Sequence, residues 1–271
     1  MTERQAIGDA AEEAQDEDGK DRQFVNALAR GLDVLRCFRP GEQFLTNAEL
    51  AKRCGIPKPT ISRLTYTLTK LGYLNYAEHL GTYQLGAGVL ALGYRMLSNL
   101  DVRKLARPPM AELAEYAQAS VALGTRDRLH MVYVETCRSS ANVTLRLDLG
   151  SRIPIATTAM GKALLCGLPQ TERDYLLDHV RRHEPERWPR IRAGIEQAYK
   201  DYQDLGFCIS AGEWQNDIHA VGVPCFGAHG DQLLSFNCGG PAFLLSRDKL
   251  VGDLGPRLVA LVKNLESQLG R

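Results

Sequence analysis

The 271-residue sequence predicts an α+β chain of two domains, the first mainly helical and the second built around an antiparallel sheet. Three observations predict it. Apolar residues recur at three- and four-residue spacing through Phe44–Gly72 (FLTNAELAKRCGIPKPTISRLTYTLTKLG), which reads as two short helices joined by a tight turn. From Ala119 the pattern changes to short alternating segments, then helices, then strands, then a closing helix. The near-neutral net charge of +1 is also unevenly spread. Residues 1–22 carry 8 acids against 3 bases, residues 23–98 carry 4 against 9, and the remainder carries 20 against 21. Positive charge localised on the helical segment is a footprint of phosphate binding.

Residues 1–22 are rich in Ala, Glu, Asp and Gln and poor in large apolar groups, so a disordered acidic tail is expected. Phe24–Phe38 predicts a first helix, with Val25, Leu28, Leu32, Leu35 and Phe38 on one face and Pro40-Gly41 ending it. In the next helix Thr46 or Asn47 is the cap, and Glu49 follows Thr46 by three. Leu50 and Ala51 give that helix its apolar face. Cys54-Gly55-Ile56 makes the turn, Gly55 supplying a position where φ can be positive, and Pro57 stands where a helix begins.

The helix that follows places Ile61, Leu64, Leu68 and Leu71 on one face. Its other face shows Lys58, Thr60, Ser62, Arg63, Tyr66, Thr67 and Lys70, with no carboxylate among them. Such a surface suits a DNA major groove, where cations meet phosphates and Arg or Thr reaches base edges. The competing reading is an ordinary helical hairpin with a polar outer face. Tyr73–Tyr76 and Thr82–Leu85 flank a turn containing His79 and Gly81, a β-hairpin pattern. Three helices followed by a hairpin make a winged helix-turn-helix over 23–86, and a domain boundary near Leu100 leaves the second domain in 101–271.

In that second domain Asp101–Ala117 predicts a helix that Arg107-Pro108-Pro109 kinks or interrupts. Strands follow in VALGTRD, HMVYVETC and NVTLRLD, then a loop, GSRIPIATT, and a helix, AMGKALLCGL. Helices are expected at Thr171–Arg182 and Ile191–Leu205. Strands are expected at Phe207–Ser210, Ile218–Phe226 and Gln232–Cys238, with a turn at His229-Gly230-Asp231 and a final helix from Ser246 to Leu269. The junction at Thr157–Gly161 is a candidate anion site. A helix start presents unpaired N–H groups and partial positive charge, and small residues let a carboxylate approach Thr158, Ala159, Met160 and Gly161. The competing reading is a plain helix capped by Thr157 or Thr158. Lys162, one step in, is expected to point outward.

No apolar run approaches the roughly 20 residues of a membrane span, and the acidic N-terminus lacks a signal-peptide pattern, so a cytoplasmic protein is expected. Seven scattered cysteines without a CxxC predict neither a disulfide framework nor a zinc finger. An alternative function is a thiol enzyme or redox sensor using Cys225 and Cys238, with His219 nearby in sequence. Of the six histidines only His179 and His183 have helical ligand spacing, and Arg181, Arg182 and Arg187 make that a poor cation site. No metal or cofactor is expected.

The order ARGLDVLRCF, LTNAELAKRCGIPKPTISRLTYTLTKLGYL and TYQLG resembles the DNA-binding half of IclR-type transcriptional regulators. Thr158–Leu165 is similar to that family's TAxGKALLA segment, and HAVGVPCFGAHGDQLLSFNCGGP to its AIAAPVFDxxGxxVAALSVSGP stretch. Together the matches span about 24–270. The resemblance implies a GAF-like effector-binding second domain, a linker helix in 87–100 that supports dimerisation, and a homodimer or dimer of dimers on a double-stranded DNA operator. It places Lys58, Pro59, Thr60, Ser62, Arg63 and Tyr66 on the recognition helix. It also implies a pocket for a small organic acid at Thr158, Ala159, Met160 and Gly161, walled by Leu145, Ile153, Ile155, Ile218, Ala220, Cys225, Asn237 and Gly239. One departure matters: the family's Ser-Val-Ser is Asn237-Cys238-Gly239 here. Losing two hydroxyls puts a small keto acid in doubt and favours a bulkier ligand such as an aromatic carboxylate.

Overall fold

The structure is a computed structural model that describes residues 23–141, 145, 147–227 and 233–270. The acidic tail, most of NVTLRLD and the turn at His229-Gly230-Asp231 lie outside the described residues. The chain divides into two compact units, one ending at Asn99 and one spanning Leu100–Arg271.

The first unit comprises α1 (Asn26–Arg36), α2 (Asn47–Cys54), α3 (Lys58–Lys70), a hairpin of β1 (Leu74–Ala77) and β2 (Thr82–Leu85), and α4 (Ala87–Ser98). Thr46 starts α2 with a reciprocal capping box: its hydroxyl accepts from the Glu49 amide at 3.2 Å and the Glu49 carboxylate accepts from the Thr46 amide at 2.8 Å. The Thr46 amide first, and the Thr46 hydroxyl second, donate to the Glu49 carboxylate at 2.8 Å each and hold it below the usual carboxylate range. Gly55 ends α2 in the left-handed conformation with φ of 66°, which a side chain would strain. Val34, Cys37, Leu45, Leu50, Ile56, Ile61, Leu68 and Leu74 form one core between the three helices and the hairpin.

The hairpin is antiparallel from Leu74↔Leu85 to Ala77↔Thr82. Leu45 and Tyr83 exchange backbone hydrogen bonds at 2.9 and 2.8 Å, tying the wing to the chain ahead of α2. Leu71 departs from expectation. The helix stops at Lys70, so Leu71 falls past the apolar stripe and is 63% exposed. Helix α4 buries none of its residues.

The second unit holds α5 (Asp101–Ala117), β3 (Ser120–Asp127), β4 (His130–Arg138), β5 (Arg152–Pro154), α6 (Ala159–Gly167), α7 (Gln170–His183), α8 (Trp188–Leu205), β6 (Cys208–Ala211), β7 (Ile218–Phe226) and β8 (Leu233–Pro241). The chain then makes a helical turn at Arg247–Lys249, a π-type turn at Leu250–Leu254, and α9 (Gly255–Gln268). The six strands form one antiparallel sheet in the order β5-β4-β3-β8-β7-β6. Helix α6 packs across β6, β7 and β8 on one face. Helices α5 and α9 touch each other and cover β3–β4 and β7–β8 on the other.

Strand parity assigns the faces. Ala122, Asn237 and Gly222 are in register and face α6, whereas Leu123, Phe236 and Val223 face α5 and α9. At Leu123/Gly124 the register slips, because Leu123 opposes Glu135 and Gly124 opposes Tyr133, leaving Val134 as an extra residue. Tyr133 and Glu135 therefore point to opposite faces although two residues apart.

Two expectations are corrected here. Helix α5 runs unbroken through Pro108 and Pro109. The carbonyls these prolines leave unpaired belong to Lys104 and Leu105, both exposed to water, while buried Val102, Ala106, Met110 and Leu113 hold the helix on the sheet. The segment expected as a loop contributes β5, whose Ile153 pairs with Met131.

Candidate functional site

The outer face of α3 carries the first set of candidate residues. Lys58, Pro59, Ser62, Arg63 and Tyr66 are exposed and Thr60 is half-buried. Helix α2 fixes this helix in place: the buried Thr65 hydroxyl donates to the Asn47 side-chain oxygen at 3.2 Å, and the Asn47 amide donates to the Ser62 hydroxyl at 3.4 Å. The Lys70 ammonium lies 5.5 Å from the centre of the Tyr66 ring. No acid lies in α3, so nothing along the helix itself opposes an approaching phosphate.

The second set converges where β5, the start of α6 and the β6–β7 connection meet. Thr158 caps α6: its hydroxyl donates to the Pro154 carbonyl at 2.7 Å and accepts from the Gly161 amide at 3.2 Å. Around this start is a cavity of about 20 Å³, lined by Tyr133, Leu145, Ile153, Thr158, Ala159, Ser210, Trp214, Ile218, Ala220 and Asn237. That volume holds about one water. Leu145 is placed by its carbonyl, which accepts from the Ser120 hydroxyl at 3.1 Å. The Ser210 hydroxyl donates to the Thr157 carbonyl at 2.9 Å. Burial pushes the Tyr133 hydroxyl up to about 12, against a smaller downward pull from the Asn237 amide. The Asn237 side-chain oxygen is buried and has no hydrogen-bond partner, an arrangement that calls for a donor from a ligand or a water.

Of the residues named from sequence, Leu145, Ile153, Thr158, Ala159, Ile218, Ala220 and Asn237 line this cavity. Ile155, Met160, Gly161, Cys225 and Gly239 do not, and each has a geometric reason. A side chain on Gly161 would meet the Ile155 carbonyl oxygen at 2.1 Å, so these two backbones are pressed together behind the cap. The Met160 sulfur fills the space over Gly124. Gly239 backs onto the Ala220 methyl. Cys225 opposes Leu234 and shares the face of Val223, on the far side of the sheet. At Gly222 the strand β7 backbone approaches so closely that a side chain would lie 2.2 Å from the Ala159 carbonyl oxygen. The Gly161 amide is already taken by Thr158, so the opening of the helix toward the cavity narrows to Thr158 and Ala159.

Tyr133, Ser210 and Trp214 are lining residues that sequence reasoning missed. Only Trp214 carried a signal, as an aromatic in the polar stretch Gly212–Asp217.

Lys162 is a correction. It points inward, 1% exposed, with its ammonium 2.5 Å from the Glu213 carboxylate and 3.3 Å from the Ile209 carbonyl. The charge is tolerated inside because a carboxylate and a carbonyl both meet it. Glu213 adjoins Trp214, so this pair also fixes one wall of the cavity.

The thiol alternative loses its geometry. Cys238 opposes Val221 while Cys225 opposes Leu234, four positions apart along the ladder. Both are buried, and burial pushes the Cys238 thiol up to about 12. His219 bonds instead to the Leu245 carbonyl at 2.8 Å. Among the described residues no group of His, Cys, Asp and Glu could hold a metal, and no helix is long and apolar enough to cross a membrane.

A winged helix with an exposed cationic helix face, joined in one chain to an α+β unit, is the architecture of a DNA-binding transcription regulator. Residues 27–78 match the family described as IclR helix-turn-helix domain, and residues 94–265 match Bacterial transcriptional regulator IclR C-terminal. The chain belongs to the IclR family of DNA-binding transcriptional regulators. It is 33% identical over 248 residues to the HTH-type transcriptional regulator TsaQ1/TsaQ2 of Comamonas testosteroni, covering 91% of this chain and 89% of that protein. It is 26% identical to the p-hydroxybenzoate hydroxylase transcriptional activator of Acinetobacter baylyi, covering 79% and 81%. A crystal structure of an IclR family transcriptional regulator from Brucella abortus superposes with a TM-score of 0.83 at 50% identity, covering 93% and 95%.

Proposed function

We propose that this regulator works in the cytoplasm, where its DNA is, and that an aromatic carboxylate in the second unit sets its operator binding. The observation that carries the ligand class is the composition of the cavity. Tyr133 and Trp214 supply aromatic walls, Leu145, Ile153 and Ile218 supply apolar ones, and Thr158 and Ala159 present a helix start to an anion. Asn237 offers an unpaired oxygen to a phenolic or similar donor. The Acinetobacter baylyi activator named above, a regulator of p-hydroxybenzoate hydroxylase, supports the same class. With room for about one water, the cavity admits a ring only when a wall moves.

On the DNA side, Lys58, Pro59, Thr60, Ser62, Arg63 and Tyr66 form the reading face. Self-association supplies two such faces. Helix α4 exposes Leu90, Leu92, Tyr94 and Met96, and α1 exposes Leu28 and Leu32, an apolar surface that a second copy would cover. A dimer then spaces two recognition helices to match half-sites about one helical turn apart. A ligand shifts the balance between DNA-bound and free forms only as far as it favours one of them.

The test is a thermal-shift screen of the full chain against 4-hydroxybenzoate, benzoate, pyruvate and glyoxylate. The aromatic acids should raise the unfolding temperature and the keto acids should not. Stabilisation by keto acids alone would overturn the ligand class, and loss of the aromatic effect in Asn237→Ala would place the ligand in this cavity.

A further inference from the structure

Two thiols face each other in the first unit, far along the chain from the ligand cavity. Cys37 caps the end of α1 and Cys54 is the last residue of α2, and their sulfurs stand 2.9 Å apart. Both are free thiols; Cys37 is buried and Cys54 is partly exposed. A disulfide has its sulfurs about 2.05 Å apart, so roughly 0.9 Å of closure separates contact from bond.

Charges of both signs surround the pair, Arg53 and Arg39 against Asp33. Arg53 donates to the Cys37 carbonyl at 2.9 Å and is itself paired with Glu42. A hydrogen bond from Cys54 lowers the Cys37 thiol below its ordinary value, and Arg53 adds to that against the effect of burial. The same bond raises Cys54. Of the two sulfurs Cys37 gives up its proton more readily, and Cys54 is the one that meets solvent.

The other close pair differs. Cys166 and Cys208 stand 3.5 Å apart, but each thiol also donates to the Ala198 carbonyl, at 3.9 and 3.5 Å. Cys225 and Cys238 are buried and out of register with each other.

We infer that Cys37 and Cys54 form a peroxide-driven, thiol-reversible disulfide that joins the end of α1 to the end of α2 and weakens DNA binding. The Cys37 sulfur, as thiolate, attacks hydrogen peroxide that reaches it beside the partly exposed Cys54. An S–O bond forms, the O–O bond breaks, and hydroxide leaves, giving a sulfenic acid. The Cys54 thiol then attacks that sulfur, and its proton leaves with the sulfenic hydroxyl as water. Two thiols and one peroxide give one disulfide and two waters, and an added dithiol reverses the step by exchange.

The consequence for DNA follows from the sequence of elements, and it rests on the DNA-binding role of α3. Cys54 immediately precedes Gly55, the left-handed turn through which the chain enters α3. Drawing the Cys54 sulfur in moves the end of α2 and re-aims the start of the reading helix.

The experiment treats the full reduced chain with a few equivalents of hydrogen peroxide, blocks free thiols with iodoacetamide, and maps peptides by mass. A Cys37–Cys54 linked peptide lacking two hydrogens should appear and vanish with dithiothreitol. Cys54→Ser should abolish it and Cys166→Ser should not. A Cys166–Cys208 link alone, or full recovery of both thiols from the wild type, overturns the site. In parallel, the reduced chain selects duplexes from a random DNA pool, and the oxidised chain is titrated on the winners. Oxidation should weaken binding about tenfold, reversibly. Equal affinity overturns the switch even if the link forms. If the reduced chain selects no DNA, the DNA-binding role fails instead, while peptide mapping still decides the disulfide.

Discussion

Removing Glu213 should cost far more than removing the lysine it pairs with. Lys162 is 1% exposed at its side chain and Glu213 is 29% exposed. Glu213→Ala strands an ammonium inside the protein with only the Ile209 carbonyl beside it. Breaking a buried pair from one side costs about 3–5 kcal/mol, and the partial exposure of Glu213 sets the lower end, about 3 kcal/mol. Lys162→Met removes the buried charge, keeps the volume of the stem, and leaves a carboxylate that already reaches water. Its cost should be about 1 kcal/mol or less. For a unit of this size each kcal/mol shifts the midpoint by roughly 2–4 °C, so the two variants should differ by about 4–8 °C. Calorimetry of the full chain, with tryptophan fluorescence following Trp214, reads both. A Lys162→Met variant as unstable as Glu213→Ala would refute the claim that the desolvated cation dominates this pair.

Three further outcomes are expected. Arg63→Ala should weaken operator binding about 10–100-fold in a shift assay, and unchanged affinity would remove Arg63 from the reading face. Gly222→Ala should destabilise the second unit by about 3 kcal/mol in urea titration, because the added methyl meets the Ala159 carbonyl oxygen at 2.2 Å and both partners are backbone. His130 sets a pH dependence. Burial first, and the Arg152 guanidinium second, push its imidazole down to about 4, from about 6.5 when unfolded. Because the unfolded chain takes up the proton more readily, stability is full above about pH 6.5 and falls toward pH 4. About 2 kcal/mol should be lost between pH 7 and 5, and His130→Asn should flatten that slope in denaturant titrations at the two pH values.

Local features were legible in the sequence, and distant pairings were not. The capping box at Thr46 and Glu49, the turn at Gly55 and the cap at Thr158 are each written within four residues. Leu71 was misplaced because a helix face was extended one residue beyond the stop before Gly72. Cys225 could have been corrected from sequence, since it lies five residues from Ala220 and a strand alternates every residue. Lys162 could not, because its carboxylate is 51 positions away and joins it only when β6 folds over α6. Tyr133, Ser210 and Trp214 come from three separate segments, so no local pattern joins them. Pro108 and Pro109 illustrate tertiary override: the buried side of α5 holds the helix where local propensity would break it.

The inserted residue at Val134 makes β4 a short lever. Tyr133 stands against the cavity at the start of α6, and Glu135, on the opposite face, is gripped by Arg103 at 2.8 Å and Arg107 at 2.8 Å from α5. A guest that displaces the Tyr133 ring tugs on the same few peptide bonds that hold this three-charge rivet. Deleting Val134 would restore a regular ladder in which Tyr133 and Glu135 are neighbours, still on opposite faces, so the rivet would hold while the slack between it and the cavity is lost.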